Sequence, residues 1–243
     1  MKLKVQGSSS KGNSYILESD SECLIIEAGI RFKDVKKALD FDVSKIVGLI
    51  FTHEHGDHSK HINQYLNEGI DCYASEGTIK ALNISSYSSP YLCEHGKQFK
   101  LGGFTIMPFK IEHDAAQPLG FLIQHPECGK VLFLTDTFYS EFKFPGLNTL
   151  IIEANYCEHI LAENKTLHPS VRRRIITNHM SISTCKELLS ANDLSKVRNI
   201  ILIHLSDSNS NARQFKQEII AHTGKQVFIA EKGLEVNIDL KPF

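Results

Sequence analysis

Apolar residues fall in short runs separated by glycine, proline and polar clusters, and no run approaches the length of a membrane span. The pattern predicts strands at residues 3–6, 15–18 and 23–27. The turn Gly7-Ser8-Ser9-Ser10-Lys11-Gly12-Asn13 joins the first two. Helical spacing follows over 32–39. A buried strand at 46–51 leads into a helix from about 59 to 67, with Gly69 at its C-terminal stop. Another helix is predicted over 76–83. The middle is strand-rich, at 99–101, 104–109, 120–124, 131–134 and 149–152. Helices return near 156–161, 169–177 and 182–191. A strand at 199–203, a helix at 212–222 with Gly224 behind it, and strands near 226–229 and 234–238 close the chain. Strands dominate both halves, so two face-to-face sheets with helices outside would bury these faces, an α/β arrangement.

The chain has 243 residues, enough for one large core, and no linker, repeat or low-complexity stretch divides it, so 1–243 is expected to be one domain. Hydrophobic residues at 42% and charged residues at 23% are ordinary for a soluble globular protein. A net charge of −1 does not point to a general polyanion binder, so any contact with nucleic acid is expected to be local. Cys23, Cys72, Cys93, Cys128, Cys157 and Cys185 are scattered without a C-x-x-C pair. They read as reduced, mostly buried thiols in a cytoplasmic protein with no signal peptide and no membrane segment.

Chemistry concentrates at His53-Glu54-His55-Gly56-Asp57-His58, directly after the apolar strand. Four potential ligands of mixed nitrogen and oxygen type within six residues suit zinc, manganese or iron better than calcium. The bland alternative is a polar turn rich in histidine. Three more metal-capable side chains, His113, Asp136 and His204, close apolar strands elsewhere. Singly, each would pass for a core-edge histidine or a turn cap. Strands of one core present their ends on a shared edge, so together they are expected to converge with the first cluster.

This set resembles the metallo-β-lactamase superfamily over nearly the whole chain. His53, His55, Asp57 and His58 stand as its H-x-H-x-D-H signature, and His113, Asp136 and His204 match its later single ligands in order. The resemblance implies a four-layer αβ/βα sandwich, two mixed sheets flanked by helices, with two divalent metal ions at one edge (zinc or manganese, with iron open). It implies that His53, His55 and His113 hold one metal, that Asp57, His58 and His204 hold the other, and that Asp136 bridges them. The 7–13 turn, Glu153-Ala154-Asn155-Tyr156, Asn178-His179-Met180-Ser181 and His204-Leu205-Ser206-Asp207 are similar to the YycJ/WalJ branch, phosphodiesterases and exonucleases acting on DNA ends. Glu27 stands where the superfamily usually has aspartate, and Asn178 where a glycine usually precedes the histidine.

Two divalent cations, the two aspartates and a bridging hydroxide would leave about +1 on the site, which favours an anion and fits phosphoryl transfer. The expected function is therefore a dinuclear metal-dependent hydrolase, a phosphodiesterase or nuclease whose hydroxide attacks phosphorus. Asp57 would orient it, and His179 would contact the phosphate or protonate the leaving oxygen. Glu27, Thr135 and Ser206 are candidates to orient the ligands. Ser8, Ser9 and Ser10 either meet substrate or form a flexible turn. Arg172-Arg173-Arg174 reads as a solvated helix end, unless one of the three faces the cleft. The substrate is expected to be nucleic acid or a nucleotide. A cyclic-nucleotide phosphodiesterase, a thioester or lactone hydrolase on the same site, and a non-enzymatic nucleic-acid-binding scaffold are the alternatives.

Overall fold

The computed structural model of the chain describes residues 1–82, 84 and 88–241. The first half contains β1 (Lys2–Gly7), β2 (Ser14–Glu18), β3 (Cys23–Ile26), α1 (Phe32–Ala38), β4 (Ile46–Ile50), α2 (Gly56–Ser59), α3 (Ile62–Asn67), β5 (Cys72–Ala74), α4 (Glu76–Ala81), β6 (Tyr91–Leu92) and β7 (Phe99–Leu101). Then come β8 (Phe104–Lys110), β9 (Leu119–His125), β10 (Gly129–Leu134), β11 (Thr149–Glu153), α5 (Glu158–Glu163), α6 (Pro169–Asn178), α7 (Ile182–Ala191), β12 (Asn199–Ile203), α8 (Ala212–Thr223), β13 (Gln226–Ile229) and β14 (Glu235–Asn237).

Two seven-stranded mixed sheets result, in the orders β14-β1-β2-β3-β4-β5-β6 and β13-β12-β11-β10-β9-β8-β7. Side chains alternate across each strand, and the alternation builds the layers. On β3, Leu24 and Ile26 enter the core between the sheets, while Cys23 and Ile25 face α1 and α3. On β11 and β12, Ile151, Ile201 and Ile203 join the central core, while Leu150, Ile152, Ile200 and Leu202 face α7 and α8. Both sheets are thus apolar on both faces, with helices covering the outside, and the expected four-layer αβ/βα sandwich is found.

Strand direction sets the functional edge. β3 is parallel to β4, and β10, β11, β12 and β13 are mutually parallel. β8 and β10 are both antiparallel to β9, so β8 ends on the same side as β10. Crevices outside the carboxyl ends of such strands are where loops collect functional side chains.

Several predicted boundaries move. The helix expected over 59–67 is two pieces, Gly56–Ser59 and Ile62–Asn67, so Asp57 and His58 are helical rather than in the preceding loop. The helix expected near 156–161 lies at Glu158–Glu163. Asn83, the expected end of the helix over 76–83, lies outside the described residues; α4 ends at Ala81. Strands β5 and β6 have only three and two residues, too few for a periodic signal. All six cysteines are free, five of them buried and Cys157 intermediate, and burial pushes the Cys23 thiol up to about 12. No helix among the described residues is long and apolar enough to cross a membrane.

Candidate metal centre

The centre is built where strands stop. β4 runs through Phe51 and Thr52 to His53, β10 to Asp136, β11 ends on Glu153, β12 runs to His204, and β3 to Glu27. Glu27, Asp136 and His204 take positive φ values of 71°, 48° and 54°, a conformation unusual for residues with a Cβ. Such backbone costs on the order of 1–3 kcal/mol per residue and persists where neighbours over-determine it. Here the amide of Glu27 donates to Ile50 O (2.9 Å) and that of His204 to Ser8 Oγ (3.0 Å). Gly29 lets the 12–13 turn and α2 pack together. A Cβ there would lie 1.8 Å from Asp57 O, which already accepts from the Asn13 amide at 2.8 Å.

The seven residues singled out from the sequence lie together. His53 Nε2 is 3.0 Å from His55 Nδ1, which is 3.1 Å from His113 Nε2. Three nitrogens bound tetrahedrally at zinc-like lengths would be roughly 3.3 Å apart, so the trio fits one cation. Asp57 Oδ2 lies 3.2 Å from His58 Nε2 and 3.3 Å from His204 Nε2, a second such trio. Asp136 Oδ2 is 2.7 Å from His58 Nε2, and His53, His58 and Asp136 form a group of their own. Asp136 therefore stands between the trios.

In four of the five histidines the other ring nitrogen has a partner that fixes the ring's orientation. His58 Nδ1 donates to Glu27 Oε1 (3.2 Å). His53 Nδ1 lies 2.8 Å from Thr52 Oγ1, which itself donates to Glu27 Oε1 at 2.7 Å. His113 Nδ1 donates to Asn178 O (3.1 Å) and His204 Nδ1 to Glu153 Oε1 (3.1 Å). Each of these four imidazoles keeps Nε2 for the cluster, an arrangement that metal-ligating histidines share. The longer Glu27 still reaches its duty. Asn178 acts through its carbonyl and has no positive φ, so no glycine is needed there.

Glu153, which the sequence placed in a motif of the branch without assigning it a role, seats two of the histidines. It is fully buried. Its Oε1 accepts from His179 Nδ1 (2.7 Å) and His204 Nδ1, and its Oε2 accepts from the Met180 amide (3.1 Å). The signal that exposed His113, Asp136 and His204, a polar group closing an apolar strand, also marks Glu153 after Thr149-Leu-Ile-Ile. Asn13 was missed as an orienting group; its Nδ2 donates to Asp57 Oδ2 at 3.1 Å. Of the expected orienting residues, Thr135 does donate to Asp136 Oδ2 (3.3 Å). Ser206 does not touch a ligand; its hydroxyl accepts from Asn209 and its amide binds Asn155 O. Ser10 lines the site cavity, while Ser8 and Ser9 line a neighbouring groove.

Electrostatics describe a site in which buried carboxylates and histidines hold each other's charge. Burial would raise the Asp57 carboxyl, but hydrogen bonds from His204 and His58 hold it well below the usual range. Asp136 is likewise held low, against its burial, by His204 and His58. Burial would lower His204, yet Asp136, Asp57 and Glu153 raise it to about 9. His179 is held at about 10 against its burial by Glu153 and Asp136. Among the described residues, no lysine or arginine pairs with Glu27, Asp57, Asp136 or Glu153. Imidazolium or a bound cation must balance them. The donor set therefore fits divalent metal.

A family model described as a beta-lactamase superfamily domain matches residues 25–205. The chain belongs to that family. It is 28% identical over 258 residues to the exodeoxyribonuclease WalJ of Streptococcus pneumoniae, covering 100% of this chain and 93% of that one. It is 26% identical over 249 residues to the exodeoxyribonuclease YycJ of Bacillus anthracis, covering 96% and 91%. The resemblance to the YycJ/WalJ branch read from the four short motifs is borne out. The metallo-β-lactamase-fold protein YhfI of Bacillus subtilis has the same fold, with a TM-score of 0.71 at 15% identity over 97% of this chain and 99% of that one.

Proposed function

We propose that the protein is a divalent-metal-dependent phosphodiesterase that removes nucleotides from DNA ends. The observation that carries this is the Asp136 carboxylate lying between the His53/His55/His113 and Asp57/His58/His204 trios. His53, His55 and His113 would hold one cation and Asp57, His58 and His204 the second, with Asp136 placed between the two groups. The nitrogen-rich first trio suits zinc or manganese, with iron as a further occupant. Divalent cations bound to these residues would supply a water of lowered pKa and polarisation of the phosphoryl oxygens.

The chain's own groups do the remaining work. Asp57, fixed by Asn13, orients the attacking water. His179 lines the cavity with Nδ1 engaged by Glu153, so Nε2 is the atom that donates to the leaving oxygen. The names of the WalJ and YycJ relatives support DNA as the substrate.

The test supplies metal-loaded protein with linear and circular single strands, bis(p-nitrophenyl) phosphate, a thioester and a lactone, with bound metal measured in parallel. Stepwise shortening of linear strands, sparing of circles and two metals per chain are expected. Cleavage of circles would replace the end-directed reading. Turnover of the carbon esters alone would overturn phosphodiester hydrolysis.

A further inference from the structure

Helix α6 forms one wall of the metal-site cavity through Val171, Arg174 and Ile175. Positions i, i+3 and i+4 share one helix face, so this is a continuous surface of two apolar side chains around one guanidinium. The arginine run divides by the same geometry. Arg172 turns inward and donates to Leu161 O and, at 2.7 Å, to Asn164 O, anchoring α6 to the end of α5. Arg174 instead donates through Nε to Asp114 Oδ2 at 2.9 Å, and among the described residues neither Nη has a hydrogen-bond partner. The guanidinium is thus held at the cavity wall with both Nη groups left over.

The charge of the site makes that placement significant. Counting only Asp57 and Asp136 leaves a surplus of positive charge once two divalent cations bind. The structure adds buried Glu27 and Glu153, and even with the His179 ring set against Glu153 these carboxylates lower that surplus. An anionic substrate then gains less attraction from the cations alone. Arg174 is the one lysine or arginine among the described residues lining the cavity. The cavity, about 240 Å³, is also smaller than the roughly 300–1,000 Å³ of pockets that enclose a drug-sized ligand. It encloses part of a nucleotide, and the rest of a strand must cross the rim.

Resting on the phosphodiesterase reading, we infer that the Val171–Arg174–Ile175 face is the strand-recognition surface. Arg174 binds a phosphate of the same strand next to the one attacked, and Val171 and Ile175 pack on its sugar and base. Its planar fork offers two parallel donors to phosphate oxygens, which a lysine does not. The substrate class is therefore a single strand with at least two phosphates, rather than an isolated diester.

The experiment compares wild type, Arg174→Ala and Arg174→Lys, all metal-loaded, with metal content and melting temperature verified. Steady-state kinetics use a single-stranded oligonucleotide and bis(p-nitrophenyl) phosphate. Fluorescence anisotropy measures affinity for a phosphorothioate-linked strand across a salt series. Arg174→Ala is expected to lower the oligonucleotide preference over the small diester roughly tenfold or more, through KM, and to reduce the salt slope by about 1. Arg174→Lys should recover part of the affinity. Equal losses on both substrates, or an unchanged strand affinity and salt slope, would overturn the inference. If wild type turns over neither phosphodiester, the phosphodiesterase reading fails by itself, and anisotropy still decides whether Arg174 holds a strand.

Discussion

Replacing Glu153 with glutamine keeps the side chain's shape and removes its charge from beneath His179 and His204. Metal affinity or turnover should fall about 10–100-fold, the range for losing an outer partner of a ligand, as read by metal titration and steady-state kinetics. In the metal-free protein, His179 sits at about 10 because Glu153 and Asp136 outweigh its burial. Removing a nearby negative charge favours the neutral ring, so histidine NMR should find it titrating at lower pH in Glu153→Gln. Asp57→Ala and His179→Ala separate two duties. The first should lower bound metal, measured by elemental analysis. The second should keep metal and lose about 10²-fold or more in turnover of bis(p-nitrophenyl) phosphate. At this scale the seven donors were legible because each follows an apolar strand. Glu27 was legible by the same rule, whereas the partners of Glu153 were not, since nothing in local spacing says which histidine a carboxylate will meet.

At the scale of elements, caps and strand ends decide where the site residues sit. Ser181 caps α7 by accepting from the Thr184 amide at 3.1 Å, immediately after the His179-Met180 segment that docks on Glu153. Ser181→Ala should cost about 1 kcal/mol. In a chain of this size that lowers the melting temperature by roughly 2–4 °C, which scanning calorimetry would register. Elements with a strong apolar pattern, such as α7 and β12, were found at the expected residues. Short pieces were not. α2 exists because His58 and Ser59 amides turn back onto His55 O, a local closure that carries no hydrophobic period. β6 pairs with β5 through only two residue pairs, so it is defined by its neighbour more than by its own sequence.

For the whole molecule, the main consequence is that folding gathers four carboxylates in a buried edge without a lysine or arginine partner among the described residues. Cation binding should therefore stabilise the fold. Chelator-treated protein is expected to melt lower by roughly 5–10 °C, since a ligand at about 100 times its Kd stabilises by about 2.7 kcal/mol. Added zinc or manganese should restore the loss, and a melting temperature indifferent to chelation would count against the two-cation cradle. By itself, the amino-acid sequence determined the layered sandwich and the identity of the donors, because alternation of apolar residues and the residues closing each strand are local properties. Only the tertiary structure decided that Asp57 and His204, 147 positions apart, lie within 3.3 Å, that Glu153 seats two histidines, and that Arg174 rather than its neighbours faces the cavity. Those outcomes depend on which strands pair and how a helix is rotated on the sheet, and packing against distant segments settles both.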